Sequence, residues 1–149
     1  MYESLKEAKI AFAEDEVPIG AVVVYKGTII GRGHNQVERL ADPTAHAEML
    51  ALSAAANFLK TKWLNEADLY VTIEPCAMCA GALVLARIHC IYFGAYDPKA
   101  GACGSVLNVA HNPKLNHRIL LKGGLLSQDC SSLLTEFFKR KREEKKDEF

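Results

Sequence analysis

Hydrophobic residues recur along this chain at two spacings, and the switches between them mark out its elements. Over residues 4–14, Leu5, Ala8, Ile10, Ala11 and Phe12 follow the spacing of a helix with one buried face, until Pro18 and Gly20 end the pattern. Two β-branched runs come next, Ala21–Tyr25 and Thr28–Arg32. Between them Lys26-Gly27 supplies the positive φ of a tight turn, so the pair predicts a β-hairpin. Asp42 and Pro43 read as the N-cap and first position of a second helix, because about fifteen residues rich in Ala, Leu, Met and Glu follow. Leu69–Ile73, Pro75–Arg87 and Cys90–Phe93 then read as strand, helix and strand, at the spacing of a crossover between parallel strands.

The remainder is less periodic. Pro98, Gly101, Gly104, Asn108, Asn112, Pro113 and Asn116 predict a long loop over residues 96–117, with one helical turn around Ser105–Ala110. Arg118–Leu121 is expected as an edge strand. After Gly123-Gly124, Ser127 is placed to cap a last helix whose apolar positions are Leu133, Leu134, Phe137 and Phe138, ahead of the charged run KRKREEKKDEF. No repeat or low-complexity linker breaks this order. The pattern predicts one α/β domain over residues 1–149, with helices on both faces of a central sheet of about five strands.

Composition narrows the picture. The chain has 149 residues, half of them hydrophobic, which suffices for one core and falls short of two. Lys plus Arg and Asp plus Glu both number 18, so the formal charge is zero with His neutral, and any nucleic-acid surface must be local. No apolar stretch reaches bilayer length, and the N-terminal segment is amphipathic rather than shaped like an export signal. The five cysteines include only one closely spaced pair, a poor disulfide framework. A cytoplasmic protein with no membrane association is the expectation.

The chemistry resides in two short stretches, His46-Ala47-Glu48 and Pro75-Cys76-Ala77-Met78-Cys79, each expected near a helix start. Imidazole nitrogen and thiolate sulfur are preferred zinc donors, and two cysteines three apart can reach one ion from one helical face. A helix N-terminus also favours the thiolate form that metal binding needs. Three protein ligands leave one tetrahedral position for water, whose pKa zinc lowers to about 7, and Glu48 beside a ligand is then the candidate general acid and base. His46 and Glu48, two apart, do not share a face of a regular helix, so they converge only if the ion sits at the helix end. A lone Cys-x-x-Cys also fits a redox pair or half of a structural zinc knuckle. Neither accounts for the upstream His-x-Glu, and no second Cys-x-x-Cys completes a four-ligand site. The donor set by itself does not choose zinc over iron.

His46-x-Glu48 with Pro75-Cys76-x-x-Cys79 resembles the signature of the cytidine deaminase-like superfamily. Over the stretches EVPIGAVVV, HNQ, DPTAHAEMLAL, LYVTIEPCAMCAGAL, FGAYDPKAGACGS and NHRI, the chain resembles the bacterial tRNA adenosine deaminases from about residue 3 to 142. The resemblance implies a three-layer α/β/α cytidine deaminase-like fold with a mixed sheet, one Zn2+ per subunit held by His46, Cys76 and Cys79, and a homodimer whose second subunit touches each RNA site. It implies hydrolysis of adenosine to inosine at the wobble position of a tRNA anticodon, with attack at C6 and Glu48 moving a proton to N1 and then toward the amine. It further implies that Asn35 binds the flipped nucleoside, that Ala47 offers its backbone N–H near the reacting centre, and that Asp97, Lys99, Asn116 and Phe138 line an RNA-facing cleft.

Bland readings stand beside these. Asn35, Asp97 and Asn116 also suit plain turns, His111 and His117 suit a polar loop, and Lys139, Arg140, Lys141 and Arg142 suit a solvated helix face. Tyr96 occupies a loop position where a basic residue is expected in many relatives, so base stacking could replace charge there. A zinc-dependent deaminase of a free base or nucleotide, guanine or cytosine type, is the alternative activity.

Overall fold

The computed structural model describes residues 1–148. Its elements are α1 (Tyr2–Ala13), β1 (Gly20–Tyr25), β2 (Thr28–His34), α2 (Val37–Leu40), α3 (Ala47–Leu59), β3 (Ala67–Ile73), α4 (Ala77–Leu85), β4 (Cys90–Ala95), β5 (Leu120–Gly123) and α5 (Ser127–Asp147). The sheet order is β2-β1-β3-β4-β5, with β1 antiparallel to both neighbours and β3, β4 and β5 mutually parallel. Hairpin and parallel crossover therefore both form as expected, and the sheet is mixed.

Alternation along the strands sends Ala21, Val23, Leu69, Val71, Ile91 and Phe93 into one core with Ala47, Ala51 and Ala55 of α3 and Ala80 and Leu83 of α4. The opposite face is covered by α1 over β1 and α5 over β4. Small residues let α3 lie close to the edge strand β2: a Cβ on Gly33 would stand 2.3 Å from the Ala47 carbonyl oxygen and 2.7 Å from the Ala51 nitrogen. Strand and helix backbone thus touch where the first turn of α3 begins.

Several boundaries differ from the sequence reading, each for a local reason. Asp42-Pro43 does not open α3; the Asp42 carboxylate accepts the Thr44 N–H at 2.8 Å and its hydroxyl at 2.7 Å, closing a turn, and the helix starts four residues later. Pro75 likewise precedes the cap of α4, which is Cys76. The helical turn expected around Ser105–Ala110 is absent, because the backbone there joins a bridge between Cys103 and Asn108 and bonds back to Gly101 and Ala102. Ser127 does not cap α5. Leu126 does, in a left-handed conformation at φ 52°, with its side chain packed against Leu5, Ala95 and Cys130. The edge strand lies two residues beyond its expected start, and α5 continues as helix through the charged run to Asp147. The four-residue α2 escaped notice because it is too short to show a period.

Candidate active site

Two helix beginnings meet at the carboxyl ends of the parallel strands. His46 is the N-cap of α3, with extended backbone at φ −78° and ψ 151°, and Cys76 is the N-cap of α4, at φ −74° and ψ 175°. Neither side chain caps its own helix. The cap position of His46 removes the spacing problem between His46 and Glu48, since only Glu48 is helical. The His46 Nδ1 lies 3.7 Å from the Cys76 sulfur and 3.5 Å from the Cys79 sulfur, and all three donor atoms fall within 4.8 Å of one another. Bond lengths of about 2.0 Å to nitrogen and 2.3 Å to sulfur place tetrahedral zinc ligands about 3.5 Å apart, so the spacing fits the ion. Among the described residues no fourth His, Cys, Asp or Glu joins the group.

The electrostatics suit a metal-binding thiolate pair. Cys76 is held down to about 5, chiefly by the Cys79 thiol that hydrogen-bonds to it, with backbone N–H groups of the first turn of α4 adding to the effect. The same sharing pushes Cys79 up, so the pair keeps one proton until a cation displaces it. Glu48 sits beside them at 3% exposure, and burial pushes its carboxyl above the ordinary range, with negative Cys76 adding to the rise.

A cleft of about 1060 Å³ opens over His46, between the segment after α1, the start of α2 and the outer half of α5. Asn35 and Phe138 line it. The Asn35 side-chain oxygen accepts the Ala47 N–H at 2.9 Å, so the N–H expected to face the reacting centre is donated here to Asn35. Phe138 is also the ridge between this cleft and a second hollow of about 400 Å³ lined by Tyr96, Asp97, Lys99 and Arg142. Tyr96 is 60% exposed there and rests edge-on against Phe93. Asn116 is exposed and lines neither hollow. His111 and His117 each meet a backbone carbonyl, of Ile119 at 2.8 Å and of Ile88 at 2.7 Å, and serve the fold.

Two buried carboxylates that shape the site went unread in the sequence. Glu16 accepts the N–H groups of Glu38 and Arg39 and fixes the start of α2. Glu74 accepts those of Asp97, Cys103 and Ser105 and the Ser105 hydroxyl, and so organises the loop bearing Asp97 and Lys99. A charged residue inside the apolar run TIEPC was the available signal for Glu74. Lys141 and Lys145 follow Phe138 at helical spacing, the signal that they face the same cleft.

Residues 1–142 match the family described as MafB19-like deaminase, the class to which a His-Cys-Cys group beside a buried glutamate on this sheet already points. Relatives narrow that class. A tRNA-specific adenosine deaminase of Aquifex aeolicus (strain VF5) is 52% identical over 93% of this chain and 91% of its own, and one of Bacillus subtilis (strain 168) is 47% identical over 98% and 91%. The chain belongs to the family of tRNA-specific adenosine deaminases. Among solved structures, one from a study of A-to-I editing by tRNA:A34 deaminases superposes with a TM-score of 0.87 at 43% identity, over 90% of this chain and 97% of that one. A guanine deaminase from Nitrosomonas europaea superposes at 0.78 and 26% identity, over 90% and 80%.

Proposed function

We infer that this enzyme hydrolyses adenosine to inosine in tRNA, at the wobble position of the anticodon, releasing ammonia. The observation that carries the reading is the convergence of one imidazole nitrogen and two sulfurs beside buried Glu48, in a chain matching tRNA-specific adenosine deaminases over more than nine-tenths of its length. The chain acts as a single deaminase domain. His46, Cys76 and Cys79 would hold one Zn2+, which would supply a water acidic enough to be deprotonated near neutral pH. Glu48 takes one proton from the water and delivers it to N1 as the oxygen adds to C6; it then carries the remaining proton from the new C6 hydroxyl to the amine, which leaves as ammonia when the C6–N bond breaks and the C6 carbonyl forms. Its burial favours this double role, since desolvation raises the carboxyl's proton affinity above that of an ordinary glutamate.

Asn35, held by the Ala47 N–H, presents its amide nitrogen to the nucleoside in the cleft, and Phe138 lies against it. Asp97 and Lys99 border the neighbouring hollow, where the rest of the loop RNA lies; Asn116, on an exposed turn, meets RNA outside both hollows. Base extrusion costs least in a hairpin loop, which suits an anticodon substrate. The enzyme is a homodimer joined through the α3–α4 face, where Phe58 and Leu85 are 65% and 78% exposed. It works in the cytoplasm, a placement supported by five free cysteines, and no helix of the described residues is long and apolar enough to cross a membrane.

Glu48→Ala tests the assignment. Ammonia release from an anticodon stem-loop should fall by a factor of about 10²–10⁴ or more while zinc content stays near one per chain. A variant that loses zinc instead shows that Glu48 is structural. The similarity to a guanine deaminase keeps a second reading, and ammonia released from guanine but not from the stem-loop would establish it.

A further inference from the structure

The cleft over His46 is lined by four carboxylates, Glu14, Asp15, Glu16 and Glu38, beside Arg39, Lys141 and Lys145. A site for a polyanion with so many acids raises the question of what each acid does. Glu16 is committed to the backbone of α2, and Glu14 pairs with Arg39 at 2.9 Å and meets His34 at 3.1 Å. Asp15 has no such duty toward its own segment. It is exposed, sits in the left-handed region at φ 63°, and reaches across to α5, where its carboxylate contacts the Lys141 ammonium at 2.5 Å and the Arg140 guanidinium at 3.2 Å.

Those two cations differ in what else holds them. Arg140 lies over the Phe12 ring at 4.4 Å and donates to the Phe12 carbonyl at 3.5 Å, so packing keeps it in place. Lys141 lies 5.7 Å from the Phe137 ring centroid and is otherwise held by Glu144, at 3.3 Å on its own helix, and by Asp15, and it lines the cleft. Next along the same face, Lys145 has no carboxylate partner among the described residues. Among the described residues, the α5 edge of the cleft therefore carries one cation without a carboxylate partner, Lys145, and one masked by Asp15. A phosphate that reaches Lys141 must first displace a carboxylate, whereas one that reaches Lys145 need not.

We propose that Asp15 is a specificity determinant, a carboxylate that competes with RNA phosphate for Lys141 so that charge alone does not retain RNA in the cleft. This rests on the reading of the cleft as the RNA site. With Lys141 masked, an RNA that cannot seat a nucleoside beside Asn35 and Glu48 gains little from the α5 edge. One that can seat it holds its phosphate at Lys141 long enough to exchange with Asp15. Discrimination then comes from the nucleoside, consistent with a chain whose total charge is zero.

Asp15→Asn isolates the charge, because asparagine tolerates the same left-handed backbone. With the zinc-loaded full chain, KM for an anticodon stem-loop should fall about threefold or more. Direct binding by fluorescence anisotropy should show log K against log salt steeper by about 0.7–0.9, the signature of one added phosphate contact. The preference for the stem-loop over an unstructured RNA of equal length should shrink. Adding Lys141→Met to Asp15→Asn should cancel both the gain and the steeper slope. The competing account is that Asp15 merely clasps α5 to the end of α1. It predicts the opposite sign, with KM rising and the melting temperature dropping, and either that result or an unchanged salt slope overturns the proposal. Wild-type protein that binds the stem-loop but releases no ammonia would instead overturn the functional reading, and the anisotropy comparison would still decide the role of Asp15.

Discussion

Glu74 shows how much a single residue can organise. Its side chain is almost fully buried, and burial by itself would raise its pKa. The Ser105 hydroxyl and the N–H groups of Asp97, Ser105 and Cys103 outweigh that and hold the carboxyl below its ordinary value. A carboxylate depressed in the folded state stabilises the protein above its unfolded pKa, and that stability is lost as pH falls through the folded value. Glu74→Gln should therefore cost about 1–3 kcal/mol near pH 7, from donors left without their charged acceptor. The difference from wild type should shrink as pH drops below about 4.5, where the unfolded carboxyl protonates. Urea unfolding midpoints across pH 3–7 measure both, and a difference independent of pH would show that the carboxylate charge is immaterial. The effect on activity should fall on KM for RNA rather than on zinc content, because Glu74 orders the loop carrying Asp97 and Lys99.

At the scale of elements, the site depends on where α3 begins. The helix could start at Asp42-Pro43 on capping rules, and its true start at Ala47 places His46 at the cap and Glu48 in the first turn. What holds that turn in position is the close approach of β2, since Gly33 leaves no room between its Cα and the Ala47 carbonyl. Gly33→Ala should push α3 outward at its catalytic end. We expect a loss of about 1–3 kcal/mol in stability and a larger fractional loss of kcat, because His46 and Glu48 move with the turn. Thermal unfolding and single-turnover rates on stem-loop RNA test this pairing. Unchanged kcat in a destabilised variant would mean that the turn is positioned from elsewhere. The position of Cys76 follows the same logic: proline at residue 75 reads locally as a first helical position, yet the cap is the residue after it.

For the whole molecule, α3 and α4 pack against each other and leave Phe58 and Leu85 in solvent. On the proposed homodimer, Leu85→Glu should shift the mass in sedimentation equilibrium from dimer toward monomer and lower activity on RNA together with it. A dimer that survives the change would move the interface to another face. The chain also shows which parts of such a protein are written locally. The amphipathic α1, the Lys26-Gly27 hairpin, the parallel pair β3–β4 and the three side chains that could hold a metal follow from periodicity, turn chemistry and donor spacing, all of which act over a few neighbouring residues. Contacts between distant residues decided the rest. His46 and Cys76 are 30 positions apart, and only the crossing of α3 and α4 over one sheet brings their donor atoms within 3.7 Å. Glu74 meets Ser105 from 31 positions away, Asp15 meets Lys141 from 126, and Asn116, which the family resemblance places at an RNA-facing cleft, lines neither of these two hollows. Local free-energy preferences of an amino-acid string name the elements and the chemistry it carries; closure of the sheet and packing of helices on both faces determine which side chains share a cavity.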